Sequence, residues 1–146
     1  MEHFEFRALK IEDYDEVVRL WRRAGLPFKP EGRESKRIME KQMKAFPEFF
    51  IGAFHGRKLV GVVVGSYDGR MKGWINRLAV DPECRRLGIA EQLVTNIEKA
   101  LAKHGAAIFS ALIELPNEES TSLFGKMEYA FHPDILYVSK RKTQEV

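Results

Sequence analysis

A single cysteine, Cys84, stands in 146 residues, which rules out an intrachain disulfide and suits a reducing compartment. No uninterrupted apolar run reaches the length of a bilayer span, and Met1-Glu2-His3 does not open a secretory signal. The sequence therefore predicts a cytoplasmic protein with no membrane partner. The four histidines lack metal-ligand spacing, so no metal is expected. None of them is placed by sequence to activate Cys84, which reads as structural, and no nucleophilic triad emerges. Internal repeats and low-complexity linkers are also missing, so 1–146 reads as one domain, large enough to bury a core. Excess charge of one sign is slight. A net charge of +3, with dispersed basic residues and no recognition motif, predicts no nucleic-acid partner while suiting a small anion.

What is present is an ordinary globular composition, 45% hydrophobic and 31% charged, organised around residues 76–101. Asn76-Arg77-Leu78-Ala79-Val80 is an apolar strand, Asp81 to Gly88 a charged turn, and Ile89 onward an amphipathic helix. Ile89, Ala90, Leu93, Val94, Ile97, Ala100 and Leu101 recur at helical spacing, and Gly105 follows as a stop. The first N–H groups of such a helix have no intrahelical partner, and its dipole leaves partial positive charge there. A phosphate can sit at that end, approach the backbone at Gly88, and meet the charge of Arg85 and Arg86. Equally, Gly88 could be a tight-turn residue beside solvated arginines. Spacing alone leaves both readings open.

The rest of the chain falls into short elements. A first strand is expected at 3–9 and a helix at 12–23, stopped by Gly25 and Pro27. Ser35 can cap a second helix reaching about Phe46. Strands follow at 49–54, 59–67 and 73–80, with Asp68-Gly69 as a hairpin signal. A buried strand is expected at 107–115, a short helix at 118–127, and a closing strand at 135–140. This order implies an α/β fold: a mixed sheet with helices on both faces.

Arg85-Arg86-Leu87-Gly88-Ile89-Ala90 resembles the acyl-CoA pyrophosphate loop of the GNAT N-acetyltransferase superfamily, Arg/Gln-x-x-Gly-x-Gly/Ala. Leu78-Ala79-Val80 and Asp81-Pro82 resemble that family's central strand and its exit, and the similarity runs from Phe6-Arg7 to about Tyr129. Tyr67-Asp68-Gly69 is similar to the small bacterial YpeA-like branch. The resemblance implies a mostly antiparallel mixed sheet and acetyl-CoA as co-substrate. It also implies direct transfer to a primary amine, on a small molecule or on a protein N-terminus or lysine. A non-catalytic acyl-CoA sensor is the alternative, and a homodimer stays open.

The same resemblance assigns roles. The central strand and its successor would splay apart, with backbone groups of Leu78, Ala79 and Val80 pairing with the pantetheine arm. The Leu78 N–H would polarise the thioester carbonyl. Arg85, Arg86, Leu87, Gly88, Ile89 and Ala90 would hold the diphosphate, and Asn117 either contacts the co-substrate or caps a helix. The basic and aromatic residues Phe28, Lys29, Arg33, Lys36 and Arg37 lie where the family lines its acceptor pocket. The family's frequent glutamate base is Trp74 here, which makes Glu114 the substitute, while Glu83 reads as a turn charge. In the family motif Asn-x-x-x-x-x-x-Tyr-x-x-x-Gly-Phe, the tyrosine is Phe124 and the glycine Glu128. Tyr129 is the substitute acid, with Tyr137 behind it, although both also suit a core position.

Overall fold

The computed structural model describes residues 3–146, so the reading of Met1 and Glu2 lies outside the described residues. One sheet carries β1 (Glu5–Ala8), β2 (Phe50–His55), β3 (Lys58–Tyr67), β4 (Lys72–Val80) and β5 (Ile108–Ala111), side by side in that order. The first four pair antiparallel, and β5 joins β4 in parallel. A parallel neighbour requires a crossover. Helix α3 (Ile89–Lys103), the long amphipathic segment, supplies it.

The sheet is shaped to receive α3. Ile89, Leu93, Val94, Ile97 and Leu101 are buried on its inner stripe. Beneath them lie glycines: a Cβ built at Gly65 would stand 2.8 Å from Ile97, and one at Gly73 2.9 Å from Leu101. On the other face, α1 (Tyr14–Arg23) buries Val17, Val18, Leu20 and Trp21, and α2 (Lys36–Ala45) buries Met39 and Met43. Val60, Val62, Val63 and Val64 of β3 are all buried, as a strand covered on both faces requires. Ser35 caps α2 as expected, its Oγ accepting the Ile38 N–H at 3.3 Å. Asn117 caps α4 (Glu118–Lys126), its Oδ1 accepting from the Ser120 N–H at 3.1 Å. Among the described residues no helix is long and apolar enough to cross a membrane.

Two expectations fail at the C-terminal side. The strand expected at 107–115 shortens to β5, and it is not buried: Ile108 is 55% exposed. The closing strand expected at 135–140 does not form, and Leu136 is 83% exposed. The cause is that a strand exists only where another backbone comes alongside. Local apolar patterning selects a face but does not supply that partner. The outer edge of β5 has no paired neighbour among the described residues. At the other end, the expected first helix begins as a 3-10 turn (Ile11–Asp13), where the Asp13 carboxylate accepts the Lys10 N–H at 2.8 Å and pairs with Arg7 at 3.0 Å.

Gly65→Val should test the helix–sheet contact. Overpacking against Ile97 is expected to cost about 1–3 kcal/mol, read as a lower urea midpoint with unchanged slope.

Candidate functional site

The site begins where β4 outlives its neighbour. Pairing between β4 and β5 runs from Lys72 opposite Ile108 to Ile75 opposite Ala111 and stops there. β4 continues to Val80, so its edge from Asn76 to Val80 opens onto a fork. A bulge lies at this point. On β3, Val62 faces Ala79 and Val64 faces Asn76, which leaves Val63 opposite both Arg77 and Leu78. Arg77 sits in the left-handed region, with φ 53°, as the first residue of one class of bulge does. Bulges bend and twist a strand, which here turns the Leu78 backbone away from regular pairing. Among the described residues no strand pairs with the β4 edge beside Leu78 on the β5 side.

Asp81 fastens the exit of β4. Its N–H donates to the Val60 carbonyl at 2.8 Å. Its fully buried carboxylate accepts two bonds from Arg23 of α1, each at 3.0 Å, and the Glu83 N–H at 3.0 Å. Lys58 Nζ stands 3.8 Å away. The Arg23 hydrogen bonds hold the Asp81 carboxyl below its ordinary pKa of 3.8, outweighing the opposing effect of burial. Sequence reasoning saw Asp81 only as part of a strand exit. The available signal was an aspartate two residues before a backbone N–H it can cap, followed by proline. Cys84 is half-buried in the 3-10 turn Pro82–Cys84, and the exposed Glu83 is a turn charge, as expected.

The turn then presents bare amides. Arg85, Arg86, Leu87 and Gly88 are exposed, with Arg86 at φ 64° and Gly88 at φ 80°. Ser35 and Asn117 give α2 and α4 side-chain caps, whereas Gly88 gives α3 none. A Cβ at Gly88 would meet nothing within 4 Å, so the approach to the first turn of α3 is open. Arg85 donates to Glu119 at 2.9 Å, which ties the turn to the start of α4. Ile89 is buried beneath and anchors the helix while its N-terminus faces outward.

The candidates for proton transfer are scattered. Glu114 was expected near a strand end. It lies instead in the exposed connection after β5, because β5 stops at Ala111. Phe124 is buried, its ring T-shaped against Tyr129 at 4.8 Å. The Tyr129 hydroxyl donates to Glu98 of α3, and burial with that bond raises its pKa well above the ordinary 10.0. Its proton is thus held inside, in a cavity of about 500 Å³ also lined by Phe109 and Phe131. Tyr137 is exposed. Trp74, at the family's glutamate position, is half-buried with Lys72 Nζ 4.6 Å from its ring centroid.

The model of the family described as Acetyltransferase (GNAT) matches residues 14–129. The chain belongs to the GNAT acetyltransferase family. An acetyltransferase of Photorhabdus laumondii is 31% identical over 138 residues, covering 94% of each chain. One of Sodalis glossinidius is 29% identical over 141 residues, covering 97% of each. The fold is similar to that of the PaiA N-acetyltransferase of Thermoplasma acidophilum, solved with coenzyme A. That likeness has a TM-score of 0.74 and 21% identity, over 86% of this chain and 88% of that one. As a GNAT member this protein is an acetyl-CoA-dependent N-acetyltransferase. Its forked β4 and uncapped α3 suit that co-substrate: one offers unpaired backbone to an amide-bearing arm, the other offers N–H groups to a diphosphate.

Asp81→Asn is expected to destabilise the protein at neutral pH, by about 1–3 kcal/mol for a lost buried ionic hydrogen-bond set. Because the folded-state pKa is depressed, the wild-type advantage is complete above 3.8 and declines as pH falls through the lowered value. Urea midpoints of the two proteins should therefore converge in acid.

Proposed function

We propose that this GNAT protein transfers the acetyl group of acetyl-CoA to a primary amine by direct attack, in the fork between β4 and β5. The observation that carries this reading is the continuity of an open strand edge at Leu78 with an uncapped helix start at Gly88. Acetyl-CoA brings an activated thioester. Backbone groups of Leu78, Ala79 and Val80 bind its arm as an added strand would be bound. The N–H groups from Leu87 to Ala90, with Arg85 and Arg86, hold its diphosphate. Asn117 spends Oδ1 on the α4 cap and keeps its amide N–H groups for the same ligand.

The chemistry asks little of side chains. The amine nitrogen bonds to the carbonyl carbon while the Leu78 N–H steadies the developing oxyanion. Removing one such donor typically costs roughly two to three orders of magnitude in rate. The carbon–sulfur bond then breaks and the thiolate keeps its electron pair. The surplus amine proton passes through water, with the exposed Glu114 carboxylate assigned as its acceptor on the way, and ends on the thiolate. Tyr129 is not assigned as the acid, since Glu98 holds its proton. A thiol of ordinary pKa, about 8.5, leaves with water as its partner.

A second reading, an acyl-CoA-binding sensor without catalysis, draws on the same residues: Phe124 is buried where the family places tyrosine, and Tyr129 is engaged elsewhere.

Saturating acetyl-CoA, at about 100 times its dissociation constant, should stabilise the protein by about 2.7 kcal/mol. Gly88→Glu, or Arg85→Glu with Arg86→Glu, should abolish that gain. Absence of stabilisation in the wild type would sink both readings, whereas stabilisation without thiol release across an amine panel would select the sensor.

A further inference from the structure

Among the described residues, three buried donors beside the fork have no hydrogen-bond partner. They are Nε and Nη2 of Arg77 and Nε1 of Trp21. The Arg77 guanidinium carbon lies 4.3 Å from the centroid of the Trp21 ring, so the three belong to one locality. Such vacancies are uncommon in a folded interior, because a buried N–H without an acceptor forfeits its hydration for nothing in return. All three atoms donate and none accepts. Nε–H and Nη2–H also share one edge of the guanidinium plane and point the same way, which is the pair that grips both oxygens of a carboxylate.

The place is functionally specific. Arg77 is the bulge residue immediately before Leu78, held at φ 53°, and its side chain crosses to α1 instead of lying along the sheet. Arg33 and Glu34, from the turn before α2, are its charged neighbours. Tyr14 fixes that turn by donating to the Glu34 carbonyl at 2.5 Å. Burial lowers the pKa of Arg77 from its ordinary value, yet an arginine keeps its charge in a protein.

Resting on the acetyltransferase reading above, we propose that Arg77, with Trp21, binds the carboxylate of the acceptor, which is a small amine that also carries a carboxylate group. The carboxylate receives the two parallel Arg77 N–H groups, and the Trp21 indole N–H supplies a third donor. The amine end of the same molecule then extends toward the neighbouring Leu78 backbone. This orients the acceptor from the α1–α2 side while the co-substrate enters the fork.

Matched pairs test this: glycine, β-alanine and 4-aminobutyrate, each against its own carboxamide, assayed with acetyl-CoA on the full chain. At least one carboxylate should exceed its amide in kcat/KM by tenfold or more. Arg77→Met should raise KM for that carboxylate about 10- to 100-fold and collapse the preference, while stabilisation by acetyl-CoA persists. Arg77→Lys, which keeps charge but not the paired N–H edge, should recover only part of it. Equal use of acids and amides, or a preference surviving in Arg77→Met, would overturn the proposal. A direct readout is independent of turnover: the Arg77 Nε–H NMR signal should move with β-alanine and stay with β-alaninamide. If acetyl-CoA fails to stabilise the protein, the transferase reading falls, and this signal alone decides the carboxylate site.

Discussion

The fork between β4 and β5 is the constraint on which the remaining features depend. A regular sheet would have satisfied every backbone group from Asn76 to Val80 and left nothing to bind with. Four residue pairs are made in the parallel ladder and then pairing ends, just where the bulge puts Arg77 and Leu78 opposite Val63. Unpaired strand edges are liabilities in most proteins. Here the edge is short, and the turn that follows it leads directly to an uncapped helix.

Holding that fork open requires rigidity around it. On one face, α3 is seated against glycines of β3 and β4, with Ile97 and Leu101 fully buried. On the other, Asp81 locks the end of β4 to Arg23 of α1. A buried carboxylate is expensive unless its lone pairs are used, and Asp81 uses them on a guanidinium and a backbone N–H. The same turn is thus clamped at Asp81 and bare at Gly88. A glycine at the helix start gives up only a few tenths of a kcal/mol relative to the serine or asparagine that would cap it. The unpartnered donors of Arg77 and Trp21 are a second departure from satisfied packing, and both departures border the fork.

The local structure around the turn from Arg85 to Ala90 was legible in the sequence because its determinants are local. Gly88, the stripe from Ile89 to Leu101 and the caps at Ser35 and Asn117 are each legible from neighbours a few positions away. The catalytic candidates fared differently. Glu114 was placed by assuming that β5 continued, and Tyr129 by its nearness to the tyrosine position. The length of β5 depends on where its partner stops pairing, and the Tyr129 proton depends on Glu98, thirty-one positions earlier.

The sequence by itself determined the family, the alternation of strands and helices, and the glycine start of α3 without a side-chain cap, because periodicity and capping act over one or two turns. Only the tertiary structure decided that β4 forks beside Leu78, that the residues at 135–140 form no strand, that Asp81 is a buried clamp, and that Arg77 turns its paired N–H edge inward without a partner. Each of those depends on which backbone or side chain arrives from a distant part of the chain, and no local pattern encodes that arrival.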